Sequence, residues 1–524
     1  MMSIVETEKR LWKAADQLRA NSGLRPSEYS RPVLGLLFLK FADTRFAKVE
    51  KRLKPKPGSR IKPGRDEFIA KGAIYLAPQS RFEWLTQLPE DADLGKELNN
   101  AMEQIERDNT DLADALPKSF ADIPKETLLE LLRLLEPLDL SGDSFGQIYE
   151  YFMGEFARAT MEKGGEFYTP ASIVRLIVEI IEPYEGRVYD PACGSGGMFA
   201  HSADFVARHQ REPNKALSIH GIEKTRETMR LMKMNLAMHG LSGQVREANS
   251  YYEDPYDSVG KFDFVMANPP FNVAEIDKAK LKKDVAGKEV VDARFPFGLP
   301  KADNGNYLWI SLFYGALNDT GRAGFVMANS ASDARGSEAD IRQKLIETGV
   351  VDVIIAVGPN MFTTVTLPCT LWFYDKGKIG TPREDEVLFI DARNMFRQVT
   401  RAWRDFEDWQ IEALANIVRL WRHDEPELIW GAQEWLKERF DAEDGNRLTY
   451  RDVAGLCRAV KRKEIETQGW SLNPGRYVGV AEKEDDGVDF HARLTELQAE
   501  LEELNTDAAR LQDVIAKNVR EVLQ

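Results

Sequence analysis

Between Arg187 and Val357, short apolar runs alternate with polar segments long enough for helices, and this alternation constrains the fold more than any other feature. RVYD, SIHGIE and FDFVMA come first, with TRETMRLMKMNLAMHG typical of the intervening segments, and AGFVMAN and VVDVIIAV follow. Runs of this length bounded by polar segments read as strands. Strands alternating with helices close into a parallel, doubly wound sheet. Such a sheet binds its ligands in the crevice at the carboxyl ends of its strands. A later, closely spaced pair, TLPCTLWFYDK and EVLFIDARN, reads as a hairpin on the sheet edge.

The flanks have another character. At 524 residues the chain is too long for one ordinary core. Residues 4–52 read as two helices broken at NSGLRPSEYS, with Ser27 as the candidate cap of the second. KPKPGSRIKPGRDE is a linker by composition, and helical periodicity returns from Phe68 to Glu136, most clearly in KETLLELLRLLEPL. Beyond Trp403 the chain reads as helical, charged and Trp-rich. In its last segment Leu494, Leu497, Leu501, Leu504, Ala508, Leu511 and Ile515 recur at spacings of three and four. That is a heptad seam, fitted to a partner or intramolecular coiled coil, or to the core face of a helix.

Composition excludes several classes. No apolar run approaches the ~18 residues of a membrane-spanning helix, and MMSIVETEKRLWKAA mixes acids and bases without an apolar signal region, so a cytoplasmic protein is expected. Cys193, Cys369 and Cys457 lie far apart without CxxC spacing, which points to reduced thiols and to neither a disulfide framework nor a zinc site. A net charge of −15 is wrong for a protein that coats nucleic acid alone. Residues 1–65 nevertheless hold 16 Lys and Arg against 6 Asp and Glu. They form either a basic face or solvated helix charges. The lysines of KAKLKK, within a loop-like stretch from Val273 to Asn306, leave the same two alternatives.

Chemistry-bearing residues stand at successive strand ends. YDPACGSGGMF follows the first: Gly194, Gly196 and Gly197 allow a tight turn and close backbone approach to a ligand, Cys193 and Ser195 are small, and Asp190 precedes them. The spacing is not GxGxxG, and no GxxxxGKS/T occurs, so nothing indicates a nucleotide-driven motor. Glu223 ends the second strand, where a carboxylate can accept hydrogen bonds from both ribose hydroxyls. Asn249 and Ser250 follow the third and offer polar groups to an adenine edge. The fourth runs into Asn268-Pro269-Pro270-Phe271, a stiff turn, because neither proline donates a ladder bond and each restricts the residue before it.

Glycine loop, acid, polar pair and Asn-Pro-Pro-Phe, in that order, resemble the S-adenosylmethionine-dependent amino-methyltransferases, whose catalytic motif is Asp, Asn or Ser followed by Pro-Pro and an aromatic residue. GGEFYTP, from Gly164 to Pro170, resembles the segment closing over the methionine end of the cofactor in adenine-N6 methyltransferases of this motif order. LWKAADQLR, VLGLLFLKF, FGQIYEYF and SLNPGRYVG extend the resemblance, over nearly the whole chain, to the modification (methyltransferase) subunit of type I restriction–modification systems. Many relatives carry Asp where this chain has Asn249, a departure that bears on the adenine contact and not on the fold.

The resemblance implies an α/β protein: a Rossmann-like S-adenosylmethionine-dependent methyltransferase domain at 141–402, an N-terminal helical domain at 1–140, a C-terminal helical region at 403–480 and a heptad helix for partner docking at 481–524. It implies S-adenosylmethionine bound by Glu166, Phe167, Tyr168, Thr169, Pro170, Ala171, Asp190, Cys193, Gly194, Ser195, Gly196, Gly197, Glu223, Asn249 and Ser250. Asn268, Pro269, Pro270 and Phe271 would be catalytic. The Asn268 side-chain oxygen and the Pro269 carbonyl would accept the two hydrogens of a DNA adenine N6, and Phe271 would stack on the flipped base. Sequence choice would fall to a separate specificity subunit carrying two copies of this chain, to which a nuclease-translocase subunit would add restriction. The alternatives are a protein-glutamine or RNA amino-methyltransferase and a non-catalytic assembly scaffold.

Overall fold

The computed structural model describes residues 26–53, 63–138, 149, 152 and 169–480, save 286, 302–303, 363–365, 402 and 442–446, together with most of 494–515. The first of the two N-terminal helices, most of the linker, and Glu166, Phe167 and Tyr168 lie outside the described residues.

Three helices carry the N-terminal core: α1 (Pro26–Arg52), α2 (Leu94–Asp108) and α3 (Lys125–Leu135). Leu36, Leu37 and Phe38 of α1, Leu98 and Met102 of α2, and Leu128 and Leu132 of α3 are buried together. Ser27 lies within α1, which already includes Pro26 before it, so it is not the cap of that helix. Met234 and Met238 of a later helix complete this core, and Arg45 donates to the Met238 carbonyl at 3.4 Å. Part of the basic N-terminal segment is thus spent on an internal contact.

Helices α4 (Ala171–Ile181), α5 (Gly197–Arg208), α6 (Arg226–Met238), α7 (Asn306–Ala316), α8 (Ser337–Glu347), α9 (Asp408–Arg422) and α10 (Gln433–Phe440) accompany the strands. The strands are β1 (Gly186–Asp190), β2 (Leu217–Glu223), β3 (Gly243–Glu247), β4 (Phe262–Ala267), β5 (Lys282–Val285), β6 (Lys288–Val291), β7 (Leu317–Ala328), β8 (Val351–Val357), β9 (Cys369–Asp375), β10 (Glu386–Asp391), β11 (Arg397–Thr400), β12 (Trp403–Asp405) and β13 (Cys457–Lys461). Nine of them form one sheet in the order β13-β10-β8-β9-β7-β4-β1-β2-β3. From β3 to β7 all neighbours are parallel, whereas β9 and β13 run against theirs. α4, α5 and α9 cover one face and α7 and α8 the other, each against its own apolar cluster. α4 approaches closely enough that a Cβ on Gly324 of β7 would come within 2.8 Å of Ile177.

Two expectations are corrected. β9 and β10 do not form an edge hairpin: β8 lies between them, and β9 sits inside the sheet, antiparallel to both neighbours. All seven residues of β9 are buried, as an interior strand requires. Their connection passes over β8 because Lys378, itself buried, donates to the Val351 and Glu386 carbonyls. The region after Trp403 is not wholly helical either, since β13 pairs with β10 as the sheet's edge strand. The heptad segment belongs to a separate unit, residues 479–524, in which Leu494, Leu497, Leu501, Leu504, Leu511 and Ile515 are 45–61% exposed.

A buried ion cluster joins α9 to the sheet. Asp352 of β8 meets Arg422 at 2.7 Å, Arg383 at 3.1 Å and Lys378 at 3.8 Å, and Arg422 also donates to the Ile180 carbonyl at 2.6 Å. Burial would raise the Asp352 carboxyl, but attraction to Arg422, Lys378 and Arg383 outweighs it and holds the group below the usual carboxylate range. Asp352→Ala, which strands the cations, should lower stability by about 3–5 kcal/mol, measured by thermal unfolding. A depressed carboxyl stabilises the fold above the unfolded-state value of about 3.9 and loses that contribution as pH falls through the folded-state value. The deficit of the variant should therefore shrink on acidification.

Candidate active site

The exits of β1, β2 and β4 converge. Asp190 ends β1 and is 1% exposed, and its Oδ1 accepts the Ala192 amide at 2.9 Å, which turns the chain. Burial, above all, pushes its carboxyl well above the usual range; the Ala192 bond opposes this and the Glu223 charge adds to it. In the loop, Gly194 and Gly196 hold φ of +52° and +81°, and the Cys193 amide donates to the Ile222 carbonyl at 3.0 Å. The Cys193 side chain turns inward, its Sγ 3.1 Å from the same carbonyl, into space left by Gly221, where a Cβ would lie 3.0 Å from that sulfur. Burial pushes the thiol up, which keeps Cys193 a neutral packing group.

At Gly194 and Gly197 an added Cβ would stand in open space. Both line a cleft of about 610 Å³, the solvent at its open mouth included, together with Thr169, Ala171, Asp190, Cys193, Ser195 and Asn268. Glu223 ends β2 and closes the loop: its Oε2 accepts the Gly194 amide at 3.1 Å and its Oε1 the Thr225 amide at 2.9 Å. Pro170, Gly196, Glu223 and Asn249 stand off the cavity wall. Asn249 uses its Oδ1 to accept the Tyr251 amide at 3.1 Å. Ser250 departs from the expected ligand contact, because it is buried and its hydroxyl donates to the Pro191 carbonyl at 2.5 Å, tying the β3 exit to the β1 exit.

At the β4 exit the Asn268 Nδ2 donates to Thr169 Oγ1 at 2.9 Å. That bond orients the amide, and the buried Oδ1 is left without a hydrogen bond. Pro269 is buried and Phe271 packs half-buried on the main core. The next residue, Asn272, has φ +54° and is gripped by α7: its amide donates to Asn306 Oδ1 at 2.8 Å, and its Oδ1 accepts from Asn306 Nδ2 at 2.9 Å and Asn304 Nδ2 at 3.1 Å.

Sequence reasoning missed Asn306, which stands directly before the apolar run YLWISLF. It also missed the cavity residues Tyr149, His201 and Asn235. Asn235, 3% exposed within the Met-rich α6, donates from Nδ2 to the Ser195 carbonyl at 3.0 Å and holds the glycine loop from behind. The site thus presents an open glycine cradle beside a carboxylate, and an unpaired buried amide oxygen on a clamped Pro-Pro turn. Asn306→Ala should release that turn while leaving the sheet intact, read as faster hydrogen exchange at the Asn272 amide with unchanged protection in β4.

Comparisons with known proteins agree with this geometry. Residues 140–486 match the family model N-6 DNA Methylase, and residues 7–135 match HsdM N-terminal domain. The chain is 32% identical to the type I restriction enzyme MjaIX methylase subunit of Methanocaldococcus jannaschii, across 99% of this chain and 91% of that protein. It is 34% identical to the HindI methylase subunit of Haemophilus influenzae, across 81% of this chain and 92% of the relative. The crystal structure of a type I restriction-modification methyltransferase subunit from Streptococcus thermophilus shares the fold at a TM-score of 0.70 and 22% identity, covering 91% of this chain and all (100%) of that one.

Proposed function

We propose a division of labour along the strand ends, from the premise that this chain belongs to the N-6 DNA methylases, as the methylase subunit of a type I restriction enzyme. The enzyme is an adenine-specific DNA methyltransferase, and this membership sets aside the protein-glutamine, RNA and scaffold alternatives.

S-adenosylmethionine is the cofactor in this reading, and it supplies the electrophilic methyl group when bound. The residues fit it: the cleft is lined by the glycine loop, by Asp190 and by Asn268, and it opens to solvent. Gly194 and Gly197 admit a ligand against the backbone, and Glu223 would accept from the ribose hydroxyls. Asn268 Oδ1 carries the catalytic reading. A buried acceptor left unpaired costs about 1–3 kcal/mol, a cost relieved when the adenine N6 donates to it. With the Pro269 carbonyl accepting the second hydrogen, the amine is drawn toward sp3 geometry and its lone pair toward the methyl. Pro270 stiffens the turn, and Phe271 stacks on the base, which must leave the duplex to arrive. Asn268→Ala should lower turnover at least about 100-fold, by analogy with losing an oxyanion-hole donor, yet retain cofactor affinity in calorimetry. Gly197→Val, whose side chain enters the cavity, should abolish cofactor binding without unfolding the protein. Near-normal methyl transfer by the first variant overturns the assignment.

A specificity subunit chooses the DNA site and holds two copies of this chain, in a cytoplasmic complex that a nuclease-translocase subunit extends to restriction. Among the described residues no helix is long and apolar enough to cross a membrane. The exposed leucines of residues 494–515 support docking through the heptad seam, since such a stripe is costly in water. Leu501→Asp with Leu504→Asp should prevent co-purification with the specificity subunit while leaving S-adenosylmethionine binding unchanged. Normal assembly by that variant moves the docking surface elsewhere.

A further inference from the structure

From Arg393 to Arg404 the chain reads RNMFRQVTRAWR, four arginines and no acid in a protein of net charge −15. The segment leaves the carboxyl end of β10, folds into the antiparallel pair β11–β12 and returns to α9. Asp391 takes Arg393, and Arg397 has Asp405 at 3.9 Å. Arg401 and Arg404 make no ion pair among the described residues. Of the three lysines of the other hairpin, β5–β6, two are matched, Lys282 by Glu289 at 3.0 Å and Lys283 by Asp292 at 2.9 Å.

Arg404 is also held in position. Its guanidinium lies 3.9 Å from the Phe396 ring centroid, its Nε donates to Gln398 at 3.2 Å, and its amide donates to the Asn360 carbonyl beyond β8 at 2.8 Å. A fixed, unpaired guanidinium with donors to spare is suited to phosphate oxygens. The neighbouring strand face, Arg397–Thr400, is exposed throughout, with Val399 its single apolar residue. That polarity favours a nucleic acid over a protein surface.

The hairpin also flanks the candidate active site. The Asp405 carboxyl lies beside Ser172 in the first turn of α4, three residues from Thr169, which holds the Asn268 amide. β10 and β4 point the same way, four positions apart in the sheet. At ~4.8 Å per strand this is roughly 19 Å, about half of one ~34 Å helical turn of a duplex.

We propose that β11–β12 binds the phosphate backbone of the substrate duplex through Arg401 and Arg404, about half a helical turn from the adenine that enters at Asn268. The proposal rests on the reading of the chain as a DNA methylase. In the complex assembled with the specificity subunit, Arg401→Gln with Arg404→Gln should raise the KM for a duplex carrying the recognition site about tenfold. The slope of log K against log salt should flatten by about 2, at ~0.9 per lost phosphate contact. Turnover at saturating DNA and S-adenosylmethionine affinity should not change. Arg401→Lys with Arg404→Lys should recover the slope, which a folding defect would not allow. An unchanged KM and slope overturns the proposal. So does a defect confined to assembly with normal DNA parameters in the complexes that form, which would make the hairpin a protein-docking surface. Duplex affinity is read by fluorescence anisotropy as well as by turnover, so an inactive parent complex, which would count against the methylase reading, is distinguishable from a failure of the hairpin.

Discussion

Parallel pairing of β1 with β2 and β4, in a register that sets Asp190 opposite Gly221 and Tyr189 opposite Val265, brings three strand exits to one edge of the sheet. A slip of one residue would send Asp190 to the other face and point the glycine loop away from the Pro-Pro turn. Glu223 then acts as a tie between exits, accepting one amide from the β1 loop and one from its own turn. Ser250 ties the third exit to the first through the Pro191 carbonyl. The cavity is what these ties leave open.

Charge holds the layers that back this edge. Arg419 of α9 reaches Glu182 at 2.8 Å at the end of α4, while Arg422 of the same helix meets Asp352 within the sheet. α4 is therefore clasped at its carboxyl end, and its amino end supports Thr169 and so the orientation of Asn268. SLNPGRYVG performs a similar service on the other face: Ser471 and Asn473 bond the Asp333 carboxylate at 2.5 Å and 3.0 Å, and Tyr477 stacks on Phe389 of β10. The segments that extended the family resemblance beyond the catalytic motif include this structural clasp.

Sequence legibility followed the range of the interactions involved. Strand existence was plain wherever both faces are buried, as in VVDVIIAV, because apolar runs report burial directly. Strand order was not, because burial says nothing about neighbours. β9 was mistaken for half of an edge hairpin for that reason, and Cys457–Lys461 passed unread because CRAVK carries two charges and is a strand only by pairing with β10. At the candidate site, the placement of Gly194, Glu223 and Asn268 at strand exits was legible. Asn306 was not, since its grip on Asn272 spans 34 residues of chain. Ser250 was expected to face a ligand, and in the fold its hydroxyl bonds the Pro191 carbonyl, a choice that a sequence does not record.

The unpaired Asn268 oxygen has a consequence beyond rate. In the proposed reaction an unmodified adenine brings two N6 hydrogens to two acceptors, and the product brings one. The methylated base must leave an acceptor unsatisfied in a buried site, at a cost of about 1–3 kcal/mol, or direct its methyl group against one. Product inhibition is therefore relieved by the same geometry that activates the substrate. A second methylation at the same nitrogen is disfavoured, so the chemical mark is self-limiting.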